Sequence, residues 1–217
     1  MIKRFLPLVI LLGTAAPVAA QGVGFGARVG TLGLGGELAI GLTESLTVRG
    51  GIGLSPLEPG VTFNDIDVNL KLPTVFNVGL DLYLNSAVRI GGGILFRSGH
   101  PELTGTFDAS QDIGGVTFTP LQIGTLTGVI ESSGSAPYVL IGFGRHTAEG
   151  VGLFLDVGVA FMGEPAVRLG ARDGTLSSDV DPLMSALQQE AADFEADVPG
   201  YLKFWPILSL GIRVGAQ

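Results

Sequence analysis

The chain has 217 residues, with 12 basic and 20 acidic residues, no cysteine and a formal net charge of −8. This composition excludes a disulfide framework, a thiol nucleophile and a lipid-modified N-terminal cysteine. With no basic tract to neutralise a phosphate backbone, it also argues against nucleic acid as a partner.

The first twenty residues stand apart. Lys3 and Arg4 precede an apolar run, Phe5 to Gly13, and a small-residue stretch ends Val18-Ala19-Ala20. This order reads as a cleavable signal peptide over 1–20, with a barrel domain over 21–217. The apolar run is too short to span a bilayer, which takes about 20 residues. Without Lys3 and Arg4 the remaining chain has 10 basic and 20 acidic residues, a net charge of −10.

Mean hydropathy is +0.49, yet no later apolar stretch reaches the roughly 18 residues of a membrane helix. There are 35 glycines without a collagen repeat. Membrane-level hydrophobicity without a helical span points to alternating strands.

Eight segments alternate with period two. In chain order their apolar positions run Val23 to Val29, Leu38 to Leu42, Leu46 to Leu54, Phe76 to Leu82, Val88 to Phe96, Val139 to Phe143, Leu153 to Phe161 and Leu208 to Val214. The connections after strands two, four and six are short: Thr43–Ser45, Asn85–Ala87 and His146–Gly150. Those after strands three, five and seven are long: about Ser55–Asp65, Ser98–Ala136 and Gly163–Gly200. Short periplasmic turns and long outer loops are the asymmetry of an outer-membrane barrel, and an even strand number puts both termini on the periplasmic side.

Ile66, Val68, Leu70 and Leu72 keep the parity of the fourth strand. They predict its rise above the membrane, with a break at Pro73, which cannot donate to a ladder. Val116–Phe118 and Leu126–Ile130 read as short strands extending strands five and six outward. In the last loop Asp181-Pro182 reads as a helix start, N-cap followed by proline. Leu183, Leu187, Ala191 and Phe194 then share one face of a helix over about 182–196.

With strand register set by the apolar residues, the charges fall on the opposite, glycine-rich face: Arg28, Glu37, Arg49, Asp81, Arg89, Arg97, Asp156 and Arg213. Arg145 is the exception, at a strand end where a long side chain can snorkel. An eight-stranded barrel is just wide enough for its side chains to fill, so these charges must largely pair. Two readings stay open: a salt-bridged plug, or a narrow pathway for small solutes through the room the inward glycines leave.

Chemistry is sparse. Of the two histidines, His100 lies in an outer loop and His146 ends strand six on the periplasmic side. His100 with Ser98 or Ser110 is the one candidate for a rim-located lipid-modifying enzyme. No phosphate-binding glycine loop occurs. The outer loops are acidic, and Asp179 with Asp181 could contribute to a divalent-cation site, although no calcium-loop pattern is present.

Three segments carry a family likeness: Gly35 to Thr43 with Leu46 to Gly51, Ile123 to Gly128 leading to Ala136-Pro137-Tyr138, and the closing Trp205-Pro206-Ile207-Leu208-Ser209-Leu210-Gly211. The chain resembles small outer-membrane barrels of Gram-negative bacteria, the broad OmpA/OmpW/opacity-like class. The resemblance implies a barrel type and a bacterial outer-membrane location, and no activity. It departs at Val214-Gly215-Ala216-Gln217, where such proteins usually end in an aromatic residue.

The expectation is therefore an all-β, eight-stranded antiparallel up-and-down transmembrane β-barrel with one short helix in the last outer loop. Its function is expected to be structural or surface-interacting, with a charged and largely closed lumen, the alternative being a narrow channel or transporter. It is expected to be no enzyme and to carry no cofactor and no metal. Expected partners are outer-membrane lipid and the barrel-insertion machinery, with a small solute or surface ligand left open.

Overall fold

A computed structural model describes residues 22–55, 60–63, 66–176, 179–197 and 203–216, and the side chains of 60–63, 66–68 and 197 are outside that description. The expected signal segment lies outside the described residues.

Eight strands close into a barrel. They are β1 (Val23–Gly30), β2 (Leu34–Gly41), β3 (Leu46–Leu54), β6 (Thr74–Tyr83), β7 (Val88–Ser98), β12 (Ser135–Phe143), β13 (Gly150–Phe161) and β15 (Phe204–Ala216). Each pairs antiparallel with its neighbours in chain order, and β15 closes onto β1 with Ala216 opposite Val23. Closure leaves no strand edge unpaired. These are the eight strands expected from the alternation.

The register is the expected one. Phe25, Phe76, Leu80, Ile90, Ile141, Leu153 and Leu210 point out and are exposed, while Arg49, Asp81, Arg89 and Asp156 point in and are buried. A soluble barrel would do the opposite with such side chains. Phe161 and Phe204 meet edge to face on the outside near the loop end, their centroids 5.6 Å apart, where an aromatic girdle would sit.

Side-chain oxygens tie down two of the three short turns. Thr43 Oγ1 accepts the Ser45 and Leu46 amides at 3.3 and 3.0 Å, and Asn85 Oδ1 accepts those of Ala87 and Val88 at 2.8 Å each. These are the local turns that such side chains favour.

At the loop end a second sheet stands on one half of the barrel. Its strands are β4 (Gly60–Phe63), β5 (Ile66–Lys71), β8 (Glu102–Phe107), β11 (Gly124–Glu131) and β14 (Ala166–Asp173), in the order β14-β11-β8-β5-β4. Four of them lead directly into or out of barrel strands: β5 into β6, β7 into β8, β11 into β12, and β13 into β14. The second sheet therefore repeats the order of half the wall beneath it. The expected break at Pro73 falls between β5 and β6.

The outward extension of the fifth barrel strand is β8, not Val116–Phe118. That segment is β10, which pairs with β9 (Gln111–Ile113) in a separate hairpin. Gly114 and Gly115 take positive φ at its turn, which suits them to the reversal.

Helix α1 (Pro120–Ile123) is a single capped turn, and α2 (Leu183–Asp197) is the helix expected in the last loop. Leu183, Ala186 and Leu187 are the buried side chains of α2, packed into a second core with Phe107, Ile113, Phe118 and Ile123. The expected face is corrected at its far end, where Phe194 is 51% exposed.

Because this outer core shares no residue with the barrel core, the two should fail separately. Leu187→Asp should cost the outer core roughly 4 kcal/mol from lost burial and an unpaired charge. The expected outcome is proteinase K cleavage within the last outer loop, with a barrel that still shifts mobility on boiling in SDS.

Candidate functional site

The barrel interior has two layers. Toward the loop end it is apolar: Leu32, Val75, Leu95, Ala136, Tyr138, Leu140, Ala160, Met162 and Ile207 form one buried cluster, with Trp205 packed against it. Toward the turn end it is ionic. The glycine-rich charged face expected of the whole lumen is therefore only its lower part.

The ionic layer is built from six of the eight strands. Arg49 on β3 is its hub. Its Nη1 lies 2.6 Å from Asp156 Oδ2 and 3.2 Å from Glu37 Oε2, and its Nε lies 3.0 Å from Asp81 Oδ2. β3 and β13 are four places apart in the eight-strand ring, so the Arg49–Asp156 pair spans the lumen. Arg89 on β7 reaches Asp81 Oδ2 through Nε at 3.0 Å, and its Nη2 donates to Asp156 Oδ1. Its Nη1 donates to the Gly144 carbonyl at 2.7 Å. Arg28 on β1 donates to Asn77 Oδ1 at 2.7 Å and sits 3.4 Å from Glu37 Oε2.

Three guanidinium groups thus face three carboxylates, all with side chains at most 2% exposed. Each buried ion has an opposite charge at hydrogen-bond range, the condition under which buried charge is tolerable.

The floor is the turn between β12 and β13. His146 Nε2 rests against Glu37 Oε1, and its ring tilts over Phe154 at 4.5 Å. The His146 amide donates to the Tyr83 hydroxyl at 3.0 Å, and Arg145 lies 5.0 Å from the Tyr83 ring centroid. His146 lies beyond the strand ends, and burial pushes its imidazole pKa down, opposed by Glu37. It therefore stays neutral near pH 7 and leaves the three-to-three balance intact.

The glycines opposite this layer are filled by the ions themselves. A Cβ at Gly142 would lie 2.6 Å from Arg89 Nε, and one at Gly152 would lie 2.7 Å from Arg213 Nε. The cavity left among Arg28, Arg49, Asn77, Tyr138 and Asp156 is about 10 Å³, space for about one water.

Of the eight expected lumen charges, Arg28, Glu37, Arg49, Asp81, Arg89 and Asp156 come together. Two do not. Arg213 turns to the carbonyls of Ala148 and Gly150 at the turn end. Arg97 turns to the Ser132 and Ser133 carbonyls at the loop end. Inward parity placed both correctly on the face, but each is too close to a barrel end to reach the central layer. Asn77, Tyr83 and His146 belong to the site and were not singled out for it. Asn77 shares the parity of Asp81 two residue pairs along, which is the signal that could have found it.

Among the described residues no hydrogen bond joins His100 to Ser98 or Ser110, and the buried His100 Nδ1 has no partner. Asp181 accepts the Ser185 hydroxyl. Among the described residues no group of three or more His, Asp or Glu could hold a metal ion.

Fold and lumen together define a closed eight-stranded antiparallel barrel with an apolar outside and a filled, ion-paired inside. Two solved structures from Acinetobacter baumannii share that fold. CarO is 21% identical with a TM-score of 0.58, the match covering 88% of this chain and 96% of CarO. CarO2 is 22% identical with a TM-score of 0.61, covering 90% and 98%. No family model matches the chain, and no curated protein matches it. At these identities the likeness establishes the fold and nothing narrower. The resemblance read from the sequence holds as that of a bacterial eight-stranded barrel, and the OmpA/OmpW/opacity-like assignment within it gains no support.

Two tests address the ionic layer. Asp156→Asn leaves Arg49 and Arg89 short of a carboxylate and should cost about 3–5 kcal/mol, read as a lower urea midpoint for the lipid-inserted barrel. The His146 imidazole titrates lower in the folded chain than the ordinary value of about 6.5 it has when unfolded. The unfolded chain therefore takes up that proton first, and stability falls as pH descends through that range. The urea midpoint should be lower at pH 5.5 than at pH 7.5, and His146→Gln should flatten the difference.

Proposed function

We propose that this chain is an outer-membrane barrel with a sealed lumen, acting as a structural and surface-interaction element. The observation that carries this reading is the lumen itself: a balanced ionic layer under an apolar one, with about 10 Å³ unfilled. A conducting pathway needs continuous water, and neither layer leaves room for it. The pathway reading of the inward glycines is therefore set aside.

The membrane assignment rests on the outward face. Strands of 8 to 13 residues match the roughly 9–11 needed to cross a bilayer with tilt. Their exposed apolar side chains suit lipid, and closure satisfies every backbone group as hydrocarbon demands. The partners are then outer-membrane lipid and the machinery that inserts barrels. The turn end, where β1 begins and β15 ends, faces the periplasm, and the second sheet with its helix faces outward. A non-enzymatic role fits the isolation of His100 from any hydroxyl partner.

Refolded protein in a planar bilayer should show no stepwise conductance, while the same preparation shifts mobility between unboiled and boiled SDS samples. Steady single-channel steps from wild type would overturn the sealed reading. A protein recovered in the soluble periplasmic fraction would overturn the membrane one.

A further inference from the structure

At the loop end, where the second sheet rises from only half the wall, a cleft of about 380 Å³ opens between the base of that sheet and the rim of β15. Leu72, Ile130, Met162, Phe204 and Trp205 give it apolar walls, and Arg97 is its one charged lining residue. The volume falls in the range of small-molecule sites.

Arg97 sets the chemistry. It is 9% exposed, and no carboxylate lies within ion-pair distance among the described residues. Its Nη2 is held by the Ser132 carbonyl at 3.2 Å, the Ser132 hydroxyl at 2.8 Å and the Ser133 carbonyl at 3.0 Å. Its Nε is buried with no hydrogen-bond partner among the described residues. Arg28 and Arg49 also leave Nε without a hydrogen bond, but each faces a carboxylate; among the buried arginines of the described residues, Arg97 alone faces none. A buried guanidinium left in that state is costly. A carboxylate would relieve it, because a guanidinium edge presents two parallel donors to two oxygens.

We propose that this cleft is a binding site for a small amphipathic monocarboxylate, its apolar body against Met162 and Trp205 and its carboxylate on Arg97. A single cation matches a single negative charge, whereas a phosphate dianion would call for more cationic donors than the cleft has. The site lies at the mouth of the barrel, above the ionic layer, and does not depend on whether the lumen conducts.

Trp205 is the only tryptophan of the chain, so its fluorescence reports on the cleft directly. The full chain in lipid nanodiscs is titrated with ω-bromoundecanoate, whose bromine quenches tryptophan on contact, and with the matching bromo-alcohol. The acid should quench saturably, and the alcohol should quench only linearly, as lipid partitioning would. Arg97→Gln should weaken the acid about tenfold or more, the loss expected for hydrogen bonds to a charged group. Ile130→Phe, which fills the cleft and leaves Arg97 in place, should abolish saturation, and it serves as the deciding variant if Arg97→Gln does not insert. Equal quenching by acid and alcohol, or saturation unchanged in an inserted variant, would overturn the proposal. Conductance is measured separately, so a failure here is distinguishable from a failure of the sealed-lumen reading.

Discussion

An eight-stranded barrel encloses a space about one side chain wide, and nearly everything inside this protein follows from what must fit there. Once the apolar side chains turn outward, the charged ones have nowhere to go but into that space. They can remain ionised only by meeting across it. Arg49 meets Asp156 from opposite walls at 2.6 Å, and Asp81 bridges Arg49 to Arg89. The two pairs to Asp156 join strands that share no backbone hydrogen bonds, since neither β3 nor β7 is a neighbour of β13 in the ring. They therefore fix the cross-section of the barrel, as the ladders fix its circumference.

The same constraint explains the glycines. Gly142 and Gly152 sit where arginine side chains cross, and a methyl group at either position would occupy space the guanidinium already fills. The glycine-rich inner face is thus the complement of the long arginines, a packing solution in which small residues on one strand accept large ones from its neighbours. Room inferred from glycine count alone is room already taken.

How much of this is legible in the sequence depends on whether a residue's neighbours differ from it. The barrel strands are readable because an apolar residue alternates with glycine or a charge, as around Arg89 and Asp81. The apolar upper layer is hidden by the opposite circumstance. In Tyr138-Val139-Leu140-Ile141 both faces are apolar, so nothing distinguishes the inward Tyr138 and Leu140 from the outward Val139 and Ile141. The second sheet is harder still. Thr- and Gly-rich strands such as β8 and β11 lie beside a thin outer core, and the contrast between their faces is weak. The charges near strand ends, Arg97 and Arg213, carry the right parity, but parity gives a face and not a height along the axis.

Height is what separates the two ends of this molecule. At the turn end, Arg213 and Arg89 donate to carbonyls of the β12–β13 turn, and His146 lies over the ionic layer as part of its floor. The arginines there close the structure. At the loop end the wall continues upward on one side only. β6, β7, β12 and β13 have partners above them, while β1 and β2 turn back at Thr31 to Gly33 with Gly33 at positive φ. The step between a tall half-wall and a short one cannot be covered by either, and Trp205, held by its indole N–H on the Thr31 carbonyl at 3.3 Å, stands at that step. The cleft beside Arg97 is therefore a geometric consequence of uneven strand continuation. The chain leaves about 10 Å³ among its lumen ions and about 380 Å³ at its mouth, so recognition by this barrel is better sought at the rim than along the axis.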